Sequence, residues 1–237
     1  MAQQVIHRAA TRGHANHGWL DTHHTFSFAG YHDPERVHFG ALRVLNDDHV
    51  AGGRGFGTHP HDNMEIVSIP LEGDLEHRDS MGNQTVIRQG DVQIMSAGTG
   101  VRHSEKNAHD DRDVKFLQIW VFPKKRNIEP RYDQQHFADS DLQNKLVPVV
   151  SPDGSGGVEI NQDAWFYLGK LDAGFSTRHT LHATGNGIYA FVLHGTVTIN
   201  DTTLGPRDGM GVWDTEAIDV AATTDAKLLL MEVPMAF

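Results

Sequence analysis

Apolar and β-branched residues come in short runs along this chain, broken every eight to twelve positions by Gly, Asn or Asp. The clearest are HFGALRVLN at 38–46, MEIVSIPLEG at 64–73, VKFLQIWVFP at 114–123, AWFYLGKL at 164–171, GIYAFVLHGTVTIN at 187–200 and AKLLLMEVP at 226–234. Such runs predict antiparallel β-strands, and no stretch sustains helical periodicity beyond about three turns. Turns are expected at Gly82-Asn83, Gly90-Asp91, Asn186-Gly187 and Asp208-Gly209, where positive φ is cheap.

The pattern breaks between Pro123 and Asp163, where a polar segment is followed by SPDGSGG. A boundary is therefore expected, with one unit at 1–142 and a second at 143–237. The halves echo one another weakly: the run ending in Glu72-Gly73 resembles the one ending in His194-Gly195, and GDVQIM at 90–95 resembles DGMGVW at 208–213. Two copies of one β-barrel explain both the length of 237 residues and the echo.

Composition removes several classes of function. The chain has no cysteine, which excludes disulfide scaffolds and thiolate chemistry and fits a reducing compartment, so the cytoplasm is expected. No apolar stretch is long enough to span a bilayer, and the N-terminus lacks the apolar segment of a signal peptide. Twenty basic against 31 acidic residues, without a cationic cluster, argue against direct nucleic-acid binding. The 17 histidines stand out, and thirteen of them precede residue 110. Imidazole both shuttles protons and ligates borderline metals, so chemistry is expected in the first half.

Two histidine motifs give that chemistry a place. In the first, the glycine-rich GGRGFGT leads into His59-Pro60-His61, with Glu65 and Gly73 further on. In the second, SAGTG at 96–100 leads into His103-Ser104-Glu105. Residues two apart on a strand share a face, so each motif aims two ligands together. Three imidazoles and a carboxylate suit a first-row divalent ion that keeps positions open for substrate or dioxygen. Strand spacing leaves open whether Glu65 or Glu105 is the carboxylate ligand. Isolated histidines such as His77 and His109 are expected to be ordinary hydrogen-bonded residues. No complete dinucleotide, phosphate-loop, HExxH or GxSxG pattern occurs.

These segments, HPHDNMEIVSIPLEGDLEHRDSMGN and GDVQIMSAGTGVRHSE, resemble the pirin family of the cupin superfamily. So do the upstream GWLDTHHTFSFAGYHDP, LRVLNDD and GFGTHPH. The similarity spans nearly the whole chain and is closest to bacterial pirin-like proteins with quercetin 2,3-dioxygenase activity. It implies an all-β bicupin, two antiparallel jelly-roll-like barrels with metal in the first. Its ligand pattern assigns the ion to His59, His61, His103 and Glu105 and leaves Glu65 as a pocket acid, with Glu105 or Glu65 as proton acceptor. The metal implied is iron(II), and the same donors accept manganese, cobalt, nickel, copper or zinc. The activity implied is oxidative cleavage of a flavonol such as quercetin by O2, with release of carbon monoxide and formation of a depside. The alternative is a non-catalytic metal- or redox-sensing protein that binds a transcription or metabolic partner.

Two positions depart from the general cupin signature: Gly73 falls one residue late, and Ser96 stands where proline is usual. Counting back from Gly195 places Leu181 and Ala183 at the ligand positions of the second half, so no metal is expected there. The nearest histidines, His179 and His182, are three apart and are expected on opposite strand faces. Phe56, Met95 and Trp120 are expected at the mouth of the site, and Trp165, Phe166, Tyr167, Phe191 and Trp213 in the second core.

Overall fold

The computed structural model describes residues 2–237. It is built from four sheets, two for each barrel, antiparallel except where Val158–Glu159 pairs parallel with Val147–Ser151. In the first barrel a seven-stranded sheet runs through Arg131–His136, Asp91–Ser96, Glu65–Glu72, Val114–Val121, Leu42–Val50, Leu20–His24 and Gly13–Asn16. A four-stranded sheet of Gly55–His61, Val101–Asn107, Leu75–Asp79 and Gln84–Ile87 closes it. The second barrel repeats the plan, with a large sheet centred on Asn186–His194 and Ala226–Pro234 and a small one built on Ser176–Thr180 and Ala217–Ala222. Among the described residues no helix is long and apolar enough to cross a membrane.

The long apolar runs follow from the stacking of the two large sheets. A strand packed on both faces must be apolar at odd and even positions alike. In Val114–Val121, Leu117, Ile119 and Val121 join the core shared between the barrels, while Phe116 turns into the first barrel's lumen. In Ala226–Pro234, Leu229, Met231 and Val233 take the shared side, and Leu228 and Leu230 fill the second lumen. The lumens then diverge. The second is largely apolar, with Ile188, Ala190, Val192, Ile218 and Val220, and its buried polar side chains, Asn186, Glu232 and His179, lie toward one end. The first has buried Asn46, Asp48, Ser68, His77, His103, Glu105 and Gln118. A polar interior forms only where its groups satisfy one another or a ligand, which marks the first barrel as the functional one.

The halves echo each other in backbone geometry too. Gly73 and Gly195 both sit at positive φ, 74° and 75°, and at each a Cβ would run into the carbonyl of the aspartate that precedes the neighbouring strand of the same sheet, Asp113 or Asp225. At the second echo Gly90 has φ 92°, whereas the matching turn uses Arg207 at 66°, a left-handed conformation held without glycine. Two of the expected turn dipeptides are displaced. Asn186-Gly187 opens a strand whose turn residue is Gly185 at φ 88°, and Gly209 is already in a strand.

Gln3–His7, at the start of the first unit, is the edge strand of the second barrel's large sheet. Gln3 pairs with Trp213 and His7 with Gly209. His7 Nδ1 lies 2.8 Å from the buried Tyr189 hydroxyl, which anchors the crossing strand.

Candidate metal centre

The two histidine motifs lie on paired strands of the first barrel's small sheet. His103 stands directly opposite His59, and a bulge between His103 and Glu105 sets Glu105 opposite Phe56. The alternation expected of Val101–Asn107 is present: Val101, His103, Glu105 and Asn107 are buried, while Arg102 and Lys106 are exposed. His59 and His61 both approach His103, with ring centroids 4.5 and 4.8 Å away. One ligand atom from each of the three histidines lies within 4.8 Å of the others.

Hydrogen bonding prepares these rings for an ion. His59 donates from Nδ1 to the Gly57 carbonyl at 2.8 Å, which leaves its Nε2 with a free lone pair. That Nε2 lies 3.0 Å from His103 Nε2, the separation of about 3 Å that two nitrogens have when they share an ion at right angles with bonds near 2.1 Å. The other His103 nitrogen, Nδ1, is buried without a partner among the described residues. Burial, with the neighbouring rings adding to it, pushes His61 down to about 4 and His103 to about 3, so both imidazoles are neutral at pH 7, the form that can ligate an ion. The donor set fits a first-row divalent ion.

Glu105 reaches the cluster through His103. Its carboxylate groups with His77 and His103 within the same 4.8 Å limit and is not in one group with His59 and His61. It is 3% exposed, with Gln118 donating to Oε2 at 2.8 Å and Ser68 to Oε1 at 3.1 Å. Its negative charge partly offsets the fall of the His61 pKa. Glu65 is placed elsewhere. Its Oε2 accepts from Ser96 at 2.7 Å and from the Asn161 backbone of the second barrel at 3.0 Å, which makes it a tie between barrels. The pocket role expected of Glu65 therefore has no geometric support, and burial raises its pKa.

Ser68 and Gln118 beside the centre escaped sequence reading, and His77, hydrogen-bonded as expected, lies closer to the centre than its isolation in the sequence suggested. His77 is fully buried, its ring 5.3 Å from that of His103 and its Nε2 3.0 Å from Asp79. Ser68 and Gln118 each interrupt an otherwise apolar buried strand. A lone polar residue at lumen parity inside such a run is the signal that could have found them.

An open groove of about 730 Å³ lies over the histidines, lined by His59, His61, Met64, Val101, Arg102 and Trp120 among others. Trp120 meets the His61 ring edge to face at 4.9 Å, and its indole Nε1 is buried without a partner among the described residues. Of the other residues expected at the mouth, Met95 is fully buried in the core and Phe56 packs on Trp19 beside a separate cavity.

In the second barrel the strand Ala217–Ala222 turns Ile218, Val220 and Ala222 inward, where the matching strand of the first barrel turns His103 and Glu105. His179 and His182 are not separated by strand parity, because the strand ends at Thr180. Both rings pack on Tyr167, and His182 is hydrogen-bonded to its hydroxyl. Phe166 and Phe191 are in the core as expected, while Trp165 stacks on His182.

Comparison with known proteins agrees with this architecture. A family profile described as Pirin matches residues 5–121, and one described as quercetinase C-terminal cupin domain matches 148–233. A protein of Escherichia coli K12 named quercetin 2,3-dioxygenase is 45% identical over 230 residues, covering 97% of this chain and 98% of the relative. A pirin-like protein of Caulobacter vibrioides is 39% identical over 222 residues, covering 93% of this chain and 95% of the relative. Among solved structures, a bacterial pirin from Escherichia coli in complex with nickel(II) superposes with a TM-score of 0.93 at 44% identity, covering 98% of this chain and 99% of that one.

Proposed function

This chain belongs to the pirin family, and we propose that it is a metal-dependent dioxygenase that opens the ring of a flavonol such as quercetin with O2. The observation that carries the reading is the convergence of His59, His61 and His103, three imidazoles beneath an open groove. The chemistry belongs to the first barrel, within residues 1–142, and the second, 143–237, packs against it. The naming of relatives as quercetin 2,3-dioxygenase supports the substrate class. The absence of cysteine fits a cytoplasmic protein.

His59, His61 and His103 would hold the ion, with Glu105 as the carboxylate, and iron(II) is the metal we favour. When bound, such an ion acidifies an enolic hydroxyl and supplies a site for electron transfer to dioxygen. The chain's own residues do the rest. Met64, Val101 and Trp120 present apolar surface to a planar ring system. Glu105, oriented by Gln118 and Ser68, accepts the hydroxyl proton. In the overall change one flavonol and one O2 give one depside and one carbon monoxide.

The test is an oxygen-electrode assay on protein loaded with iron, paired with loss of the flavonol absorbance. Oxygen uptake and bleaching should be stoichiometric, and His59→Ala should remove both along with most of the bound metal. Turnover no faster than that of free iron would overturn the dioxygenase reading, and full activity in His59→Ala would overturn the site.

A further inference from the structure

A second group of potential ligands lies on the N-terminal hairpin, formed by Gly13–Asn16 and Leu20–His24, and shares no residue with the cluster around His103. His14 and His23 stand opposite one another in the antiparallel register, so their side chains leave the same face. Their rings are stacked, with centroids 4.5 Å apart and planes inclined by 18°. Asp21 precedes His23 by two positions and projects to that face as well. His14 Nε2 lies 2.7 Å from Asp21 Oδ1, and one ligand atom from each of the three residues falls within 4.8 Å of the others.

An ordinary surface ion pair accounts for His14 and Asp21. It leaves His23 unexplained: among the described residues its ring makes no side-chain hydrogen bond while it lies flat against a second imidazole. Asp21 supplies negative charge for a cation at this face. The one close cation, Arg12, is held by Asp47 at 3.2 Å, and Asp47 also holds Arg207 at 2.8 Å. His14 and Asp21 remain 52% and 39% exposed, so an ion can arrive from solvent and keep water on its open positions.

We propose that His14, Asp21 and His23 form a second metal site, for a divalent ion of the zinc, nickel or copper type. Two imidazole nitrogens and one carboxylate select these ions over magnesium and calcium. An ion there would tie the two hairpin strands together. The same hairpin walls a cavity of about 500 Å³ through His14, Leu20, Thr22 and His24, so the ion would fix one side of that cavity.

The full chain, stripped with a chelator and equilibrated with zinc chloride by dialysis, should take up one ion at the His103 cluster and a second at the hairpin. His14→Ala and Asp21→Asn should each lose the hairpin ion and keep the other, which also shows that the variants are folded. His59→Ala should show the reverse. In the wild type, zinc should protect His14 and His23 from carbethoxylation by diethyl pyrocarbonate, read by mass spectrometry. Uptake of one ion only, a second ion that persists in His14→Ala, or modification of His14 and His23 unaffected by zinc would each overturn the proposal.

Discussion

Replacing Gln118 by leucine tests whether Glu105 owes its position to the lumen network. The side chains are similar in size, so the change removes a donor without opening a large cavity. Gln118 Nε2 donates to a carboxylate that is 3% exposed, at 2.8 Å, a length typical of a charge-assisted bond. Loss of such a bond to a buried charged group costs about 1.5–3 kcal/mol. A buried leucine returns part of this at about 0.8 kcal/mol per methylene, which leaves a net loss of about 1–2 kcal/mol. With an m-value near 2 kcal/mol/M, the urea midpoint of metal-free Gln118→Leu should fall by roughly 0.5–1 M at unchanged m. Metal affinity should also drop about 10- to 100-fold, the usual effect of removing an outer partner of a ligand. Ser68→Ala should do less, because its contact to Glu105 is longer at 3.1 Å and its hydroxyl is also 3.4 Å from Gln118 Oε1. An unchanged midpoint together with unchanged metal affinity would refute the view that Gln118 positions Glu105.

Two further expectations concern stability. Burial holds His7, His61 and His179 at about 4 and His103 at about 3, below the unfolded value of 6.5. Between those limits the unfolded chain binds more protons, so the contribution of these groups is complete above pH 6.5 and is lost on acidification. Asp48, pushed up to about 7 by burial, and Glu65, also raised by burial, have the opposite sign, but His23 and His24 are lowered too, so the lowered histidines outnumber the raised acids. The urea midpoint of metal-free protein should therefore fall from pH 7 to pH 5, and a flat profile would count against this assignment. Tyr189→Phe removes the partner of buried His7 and should cost about 1–3 kcal/mol, with faster hydrogen exchange in Gln3–His7; unaltered exchange there would show that the hydroxyl does not anchor the strand.

Much of this architecture was legible because packing on both faces leaves an imprint on sequence. The largely apolar runs at 114–123 and 226–234 are among the strands that carry both a shared core and a lumen. His59, His61 and His103 were legible because period-two spacing survives folding and each motif follows a glycine-rich turn. What was not legible depends on pairing between distant strands. Glu65 has the right parity beside His61, yet its strand belongs to the large sheet and delivers the carboxyl to Asn161. His77 looked isolated because its proximity to His103 arises only when Leu75–Asp79 pairs with Val101–Asn107. His179 and His182 were misjudged because parity stops where the strand does, at Thr180.

The crossing of Gln3–His7 into the far barrel sets an order of events during synthesis. This segment leaves the ribosome long before its partner Gly209–Trp213, which follows it far along the chain. Until then the segment has no neighbour to pair with, and the second barrel's sheet is left with an open border along Gly209–Trp213. Docking of Gln3–His7 is thus a closing step that joins an early-made strand to one made much later. A bulky fusion placed directly before Gln3 should slow that step more than the same fusion after Pro234.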